Sequence, residues 1–356
     1  MGTHTVLDPC SPDGLGNSNV SRVCVLIRSD MTLTTLAKLA SVSVATVSKA
    51  FSGSTEISEE TRAHIFEIAR EHDCFDKYNK NKFDKKVIAV VYPELKSDYY
   101  NTFASILEKE ITAQGGIMTA SVSNFSAESQ QELVAYYSAY CKADGIILVD
   151  PKPPISNDFM IPTVAIGKRK VYEKNITYIS LSLSDAIEQA IKYLYGLGHR
   201  RIGFVGEKLT VAKLAIFEES MAKLHIPLDR SLIYESDERF ERAGICAAEY
   251  FVGMKEMPTA ILAAYDHIAI GLIKGLGEYA VRVPEDISVV GMDDIPIAPY
   301  LTTSLSSISA HTDKACHAAV EILMKKIHNQ STVQNDTVIS SEFIARSSSG
   351  IPRSKA

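Results

Sequence analysis

Several short Val/Ile/Ala-rich runs in this chain end in polar residues that could hold a small ligand. Tyr92 closes VIAVVYP, Asp150 closes DGIILVD, Asp266 closes AILAAYD, and Asp293 and Asp294 close DISVVGMDD. A second set lies between Thr34 and Ser52, where Thr34, Ser43, Thr46, Ser48, Lys49 and Ser52 offer hydroxyl and ammonium donors. Such donors grip phosphates, which position a protein on a duplex without reading its sequence. Val44 and Ala45, between them, are small enough to approach base edges. Neither set resembles catalytic machinery. The chain has no GxSxG, HExxH or P-loop, and the glycine-rich GLGHRRIGFVG lies before and within a strand, where it cannot cradle a phosphate. His199 in that stretch reads as packing at a helix–strand turn, and His64 and His72 share a helix with no partner ligand. Cys10, Cys24, Cys74, Cys141, Cys246 and Cys316 are scattered without a CxxC, the pattern of reduced thiols and not of a zinc site or disulfide frame. No enzyme activity, metal or cofactor is expected.

The elements that position these residues are legible from periodicity. LTTLAKLA places Leu33, Leu36, Ala37 and Ala40 on one helical face, with Thr32 as its cap. ASVS is a tight turn, and VATVSKAF comes next with Ser43 as cap and Val44, Val47 and Phe51 one face apart. A third helix starts at Ser58, with Glu59 and Glu60 where negative charge suits the helix dipole and Ile65, Ile68 and Ala69 facing inward. Taken by itself this is either a solvated helix pair or a helix-turn-helix. DKYNKNKFDKK (76–86) is a basic connector, in which Lys77, Lys80, Lys82, Lys85 and Lys86 suit phosphates. From Val87 onward, short strands (VIAVVYP, GIMTASVSN, DGIILVD, TVAIG, RRIGFVG, AILAAYD, DISVVGMDD) alternate with helical stretches. Continuous apolar strands separated by helices imply parallel sheets covered on both faces. Ligands of such sheets bind at the carboxyl ends of the strands, which is where Tyr92, Asp150, Asp266, Asp293 and Asp294 stand.

Bulk properties bound the class. The 356 residues suit two or three domains, and 46% hydrophobic with 22% charged residues is globular composition. A net charge of −6 argues against a protein that coats nucleic acid, but leaves room for one DNA-reading module on an acidic body. No apolar stretch is long enough to span a membrane, and residues 1–30 lack the basic-then-apolar layout of a signal peptide. They read as a disordered extension ahead of Met31, and a cytoplasmic location is expected.

TLTTLAKLASVSVATVSKAFSGSTEISEETRAHI resembles the DNA-binding headpiece of the lactose/galactose-repressor family of bacterial transcription regulators. Downstream, GLGHRRIGFVG, PTAILAAYDHIAIGLIKGLGEYAVRVPEDISVVGMDD and LTTSLSSI resemble further family segments in the same order, so the likeness runs from about 31 to 346. The resemblance implies an α/β fold: an all-α helix-turn-helix headpiece followed by a periplasmic-binding-protein-like core of two Rossmann-like subdomains. It divides the chain into a headpiece at 31–75, a hinge linker at 76–86, an N-subdomain at 87–180 with 308–334, a C-subdomain at 181–307 with 335–350, and a tail at 351–356. It implies a homodimer on double-stranded operator DNA, a repressor of carbohydrate-related genes, and a small effector in the cleft between subdomains. A sugar-binding protein of periplasmic type shares the core but has no use for residues 33–72.

The base-reading positions map to Val44, Ala45 and Lys49, with Lys49 replacing the commoner Arg and so losing bidentate recognition of guanine. With them, Thr32, Thr34, Ser43, Thr46, Ser48, Ser52, Lys77 and Lys80 are the expected DNA contacts. The hinge lacks the family's Pro-Asn pair and its minor-groove wedge Leu; Tyr78 and Phe83 are the residues that could substitute for the wedge. In the cleft, Lys213 stands for a ligand-binding Arg, Asp293 matches an acid that binds ligand hydroxyls, and Tyr265 replaces a small polar residue beside Asp266. Tyr92, Tyr99, Asp150, Lys213, Tyr265, Asp266 and Asp293 are the expected effector residues, with a sugar or polyol as ligand and Tyr100 or Phe240 as further stacking candidates. For Asp266 and Asp293 a purely structural role, capping the helices or loops after the strands, is the competing reading.

Overall fold

The computed structural model describes residues 31–78, 85–155, 161–168, 175–328 and 336–353. These form two compact units, divided after Asp84.

The first unit is helical. α1 (Leu33–Leu39), α2 (Val44–Phe51) and α3 (Glu59–Glu71) start after Thr32, Ser43 and Ser58, whose hydroxyls accept from the backbone N–H three residues on. Each cap satisfies a donor the first turn leaves open. Leu36, Val47, Phe51 and Ile65 are fully or almost fully buried, and each contributes about 1.5–3 kcal/mol on burial. Val44 departs from the expected inward face and is 41% exposed. A short α4 (Phe75–Tyr78) closes the unit, with Phe75 and Tyr78 packed on Phe51 at ring-centroid distances of 5.7 and 5.9 Å. The headpiece therefore runs through Tyr78, into the segment read from sequence as hinge.

The second unit holds two parallel sheets. The first sheet contains β1 (Lys86–Tyr92), β2 (Gly116–Val122), β3 (Gly145–Val149), β4 (Thr163–Ile166), β5 (Ile176–Ser182) and a late strand, β11 (Thr337–Ser340). Its order is β11-β5-β4-β3-β1-β2. Side-chain alternation along β1 and β3 serves both faces. Ile88, Val90, Tyr92, Ile147 and Val149 pack with α5 (Asp98–Ala113) and α11 (Thr312–Ile327), while Ala89, Val91, Ile146 and Leu148 pack with Val134 of α6 (Ala127–Ala135). The second sheet, in order β7-β6-β8-β9, contains β6 (Ile202–Glu207), β7 (Ile233–Ser236), β8 (Ala260–Ala263) and β9 (Ser288–Val290). It is covered by α7 (Ser184–Gly196), α8 (Val211–Lys223), α9 (Phe240–Val252) and α10 (Asp266–Glu278). α9 and α10 touch backbone to backbone through Gly244 and Gly271.

β10 (Ser307–Ser309) and β12 (Glu342–Ile344) form an antiparallel pair where the chain passes between subdomains. The passages come after β5, β10 and β11. The third, expected near residue 335, comes after Ser340, because β11 pairs in parallel with β5 from Thr337↔Ile179 to Ser340↔Ser182 and so completes the first sheet. His199, as expected, is buried at the turn between α7 and β6, held by Thr259 Oγ1 at 3.0 Å and the Gly350 carbonyl at 2.8 Å.

Candidate functional site

On the headpiece, Val44, Ala45, Ser48, Lys49 and Ser52 form an exposed surface of α2, while Val47, Ala50 and Phe51 anchor the opposite side. Thr34 is exposed on α1. The hydroxyls of Thr32 and Ser43 accept from Thr35 N at 3.1 Å and Thr46 N at 3.0 Å, so both serve as caps. Lys49 is ion-paired with exposed Glu56, and its hydrogen bond and charge hold the Glu56 carboxyl below the usual range. Arg62 donates to the carbonyls of Ala50 and Ser54 and so pins the loop after α2. Lys77 and Tyr78 turn back to donate to the Met31 carbonyl, Lys77 at 2.9 Å. Tyr78 is thus part of the headpiece core and not a free wedge, because its ring fills the gap beside Phe51. Lys80 and Phe83 lie outside the described residues.

In the second unit a cleft of about 880 Å³ opens where the strand ends of the two sheets face each other. β1 lies between β2 and β3, and β6 between β7 and β8, so each sheet supplies a point where strand order reverses, the usual ligand crevice of such sheets. The first subdomain contributes Glu94, Tyr99, Tyr100, Phe125 and Asp150, and the second Glu207, Lys213, Arg239, Phe240, Tyr265, His267 and Asp293.

Of the residues expected there, Tyr99, Asp150, Lys213, Tyr265 and Asp293 line this cleft. Lys213 Nζ donates to Asp293 Oδ1 at 3.1 Å and to the Ala264 carbonyl at 2.7 Å. Tyr100 Oη donates to Asp150 Oδ2 at 3.0 Å. Burial pushes the Asp293 carboxyl up, against the opposing pull of Lys213. Burial also raises the Tyr265 hydroxyl to about 12 and the Tyr99 hydroxyl well above its usual value, so both stay protonated donors. Asp150 (φ 44°) and Asp293 (φ 101°) both hold left-handed backbone. Strain of this kind costs about 1–3 kcal/mol per residue and gathers at ligand sites.

Two expected effector residues are not in the cleft. Tyr92 is fully buried because it shares the strand parity of Ile88 and Val90 and points under α5. Asp266 is also fully buried: it accepts from Ile295 N at 2.8 Å and Ser307 Oγ at 2.6 Å and ties the strand-end loops together. These contacts are of the kind the competing, structural reading expects for that residue.

Sequence reasoning missed Glu94, Phe125, Glu207, Arg239 and His267. Arg239 donates through Nη1 and Nη2 to Glu94 across the cleft at 2.9 and 2.8 Å, and its Nε lies 3.6 Å from Glu207. Its guanidinium sits 4.5 Å from the Phe240 ring and 5.9 Å from that of Phe125, residues of opposite subdomains that both hold positive φ. His267 lies 3.2 Å from Asp98 of the first subdomain and bonds Glu241 of its own. The available signal was the strand-end rule applied to IYES, the run just before Arg239, which is too short and too polar to mark itself as a strand.

A capped helix-turn-helix headpiece joined to a core of two parallel-sheet subdomains around a polar cleft defines a ligand-responsive DNA-binding regulator. Residues 32–74 match the model of bacterial regulatory proteins of the lacI family, and residues 191–349 match that of the periplasmic binding protein-like domain. The chain thus combines a lacI-family DNA-binding domain with a periplasmic binding protein-like domain. It is 26% identical over 330 residues to the probable HTH-type transcriptional repressor ExuR of Bacillus subtilis (strain 168), covering 89% of this chain and 98% of that one. Against the HTH-type transcriptional repressor CytR of Escherichia coli (strain K12) it is 24% identical over 329 residues, covering 89% and 96%. The fold matches a transcriptional regulator CelR–cellobiose complex (TM-score 0.64, 22% identity, 90% of this chain and 100% of that one). It matches the lac repressor dimer bound to operator and the anti-inducer ONPF equally well (TM-score 0.64, 18% identity, 90% and 100%). Among the described residues no helix is long and apolar enough to cross a membrane.

Proposed function

We propose that this protein is a repressor that binds operator DNA as a homodimer and is switched by a small polyhydroxylated effector in the cleft. Carrying this reading is the pairing, in one chain, of an exposed small-residue helix start at Val44–Ala45 with a cleft lined by carboxylates from both subdomains. Val44 and Ala45 offer apolar contact to thymine methyl groups, and Lys49 leaves Glu56 to meet a phosphate or base edge. Asp150, Asp293 and Lys213 supply acceptors and a donor for vicinal hydroxyls, with Tyr99 and Tyr265 beside them. Effector binding shifts the population of subdomain arrangements and thereby operator affinity. The relatives named as repressors, and the related structures that hold an operator or cellobiose, support the same reading. No catalytic step is assigned to the cleft.

The test is selection of binding sites from random duplexes with the full-length protein, followed by footprinting with and without a panel of sugars. A two-fold symmetric site lost on Val44→Glu and shifted in affinity by one sugar is the expected result. Equal binding by wild type and Val44→Glu, or a failure of every sugar to alter binding, would overturn it.

A further inference from the structure

We propose that Glu94 is a built-in carboxylate that fills the Arg239 fork, ties the two subdomains together over the cleft, and reserves the site for uncharged ligands. The inference rests on the reading of the cleft as an effector site and names the ligand class it accepts.

The geometry is that of a carboxylate-recognition site already occupied. Arg239 makes two parallel hydrogen bonds to Glu94, the fork geometry by which arginine captures a planar carboxylate. Glu94 comes from the loop after β1 and Arg239 from the residue before α9, so the pair spans the two subdomains. Glu94 is buried, and Phe240 and Phe125 flank the guanidinium of Arg239, whose side chain keeps 33% of its surface open to the cleft. The hydrogen bonds to Glu94 are the main cause that raises the Arg239 pKa. A second contact between the subdomains lies along the same lip, where His267 Nε2 is 3.2 Å from a carboxylate oxygen of Asp98, the first residue of α5, where the loop that carries Glu94 ends.

Charge explains the selectivity. Glu94 and buried Glu207 both face the one guanidinium, so this corner is already negative before a ligand arrives. Among the described lining residues, Glu94, Asp150, Glu207, Glu219 and Asp293 stand against Lys152, Lys168, Lys213 and Arg239, and Lys213 is paired with Asp293. A ligand carboxylate entering here either displaces Glu94 and undoes the tie between subdomains, or meets it as a like charge. An uncharged polyol does neither.

The test compares neutral sugars with the uronic acids of the same stereochemistry, by calorimetry on the full-length protein, for wild type, Glu94→Gln, Glu94→Ala and Glu94→Ala/Arg239→Gln. Like-charge juxtaposition makes the expected wild-type preference for the neutral sugar about tenfold or more. Glu94→Ala frees the fork and shifts that preference toward the uronate, and adding Arg239→Gln removes the shift. A wild-type preference for the uronate, or a ratio unchanged in Glu94→Ala, would overturn the selector. The tie is read separately from thermal midpoints of Glu94→Ala, Arg239→Gln and the double variant: non-additive shifts support it, and additive shifts overturn it. If no sugar or uronate binds any variant, the effector reading fails together with the selector, while the midpoints still decide the tie.

Discussion

The same Gly→Ala change should act with opposite signs at two positions of α10. A Cβ on Gly271 would lie 2.0 Å from the Glu241 carbonyl oxygen and 2.6 Å from that residue's carbonyl carbon and Cα. All three are backbone atoms of α9, so no side chain can rotate away. Ordinary contact begins near 3.4 Å, and the two helices must therefore separate by more than an ångström. Overpacking costs about 1–3 kcal/mol and more where backbone must move; the better helix propensity of alanine returns about 1 kcal/mol, leaving a net loss of roughly 2 kcal/mol. Gly277, further along the same helix, meets nothing within 4 Å and is exposed. There Gly→Ala restricts the unfolded chain without strain and stabilises by about 0.5 kcal/mol. Urea unfolding followed by circular dichroism should move the core midpoint down for Gly271→Ala and slightly up for Gly277→Ala, with slopes unchanged. The contact also sits beside Arg239 and His267, at the starts of the two helices, so ligand affinity should fall in Gly271→Ala alone. A Gly271→Ala midpoint at or above that of wild type would refute the backbone-contact argument.

Ser43→Ala removes the α2 cap and should cost the headpiece about 1 kcal/mol, read as weaker operator binding in gel shifts with core stability unchanged; unaltered binding would count against the capped recognition helix. Lys213→Met leaves the Asp293 carboxyl without its cation and should reduce effector affinity about tenfold or more, measured by calorimetry; full affinity would remove Lys213 from the site. Burial holds the Asp266 carboxyl well above the usual aspartate range. The folded core therefore keeps that proton to higher pH than the unfolded chain, and stability should fall as pH rises from the ordinary Asp range through the folded value. Asp266→Asn should flatten that slope in pH-resolved thermal melts; a steeper slope would contradict it. Asp266→Ala should cost about 1–3 kcal/mol at any pH for each of the buried donors on Ile295 and Ser307 that it strands.

Much of the architecture was written in local pattern. The caps at Thr32, Ser43 and Ser58 and the apolar spacing after each define helices from neighbours in sequence alone. Long apolar strands between helices point to covered parallel sheets, and the strand-end rule located Asp150 and Asp293. The rule failed at Tyr92 because it names a strand end and not a face; parity with Ile88 sends that ring into the core. It failed at Asp266 because the acid starts a helix, and whether its side chain turns inward depends on donors from Ile295 and Ser307. The short strands β7, β10 and β12 lack the continuous apolar run that marks the equally short β4, β8 and β9, and so cannot be read before their partners are known.

By itself, then, the sequence determined the elements: capped short helices with a small-residue helix start, followed by alternating strands and helices with acids at the strand ends, while the resemblance of its motifs to a known family made the helix pair a helix-turn-helix. Those features depend on residues a few positions apart, where propensity, capping and side-chain period act directly. Tertiary structure alone decided which acids face the cleft, that β11 completes the first sheet, and that Arg239 meets Glu94. The two members of that pair are separated by 145 positions in the chain, and neither residue's neighbours encode the other. Only the three passages between subdomains bring their loops to one lip, where the two side chains pair beside the rings of Phe240 and Phe125.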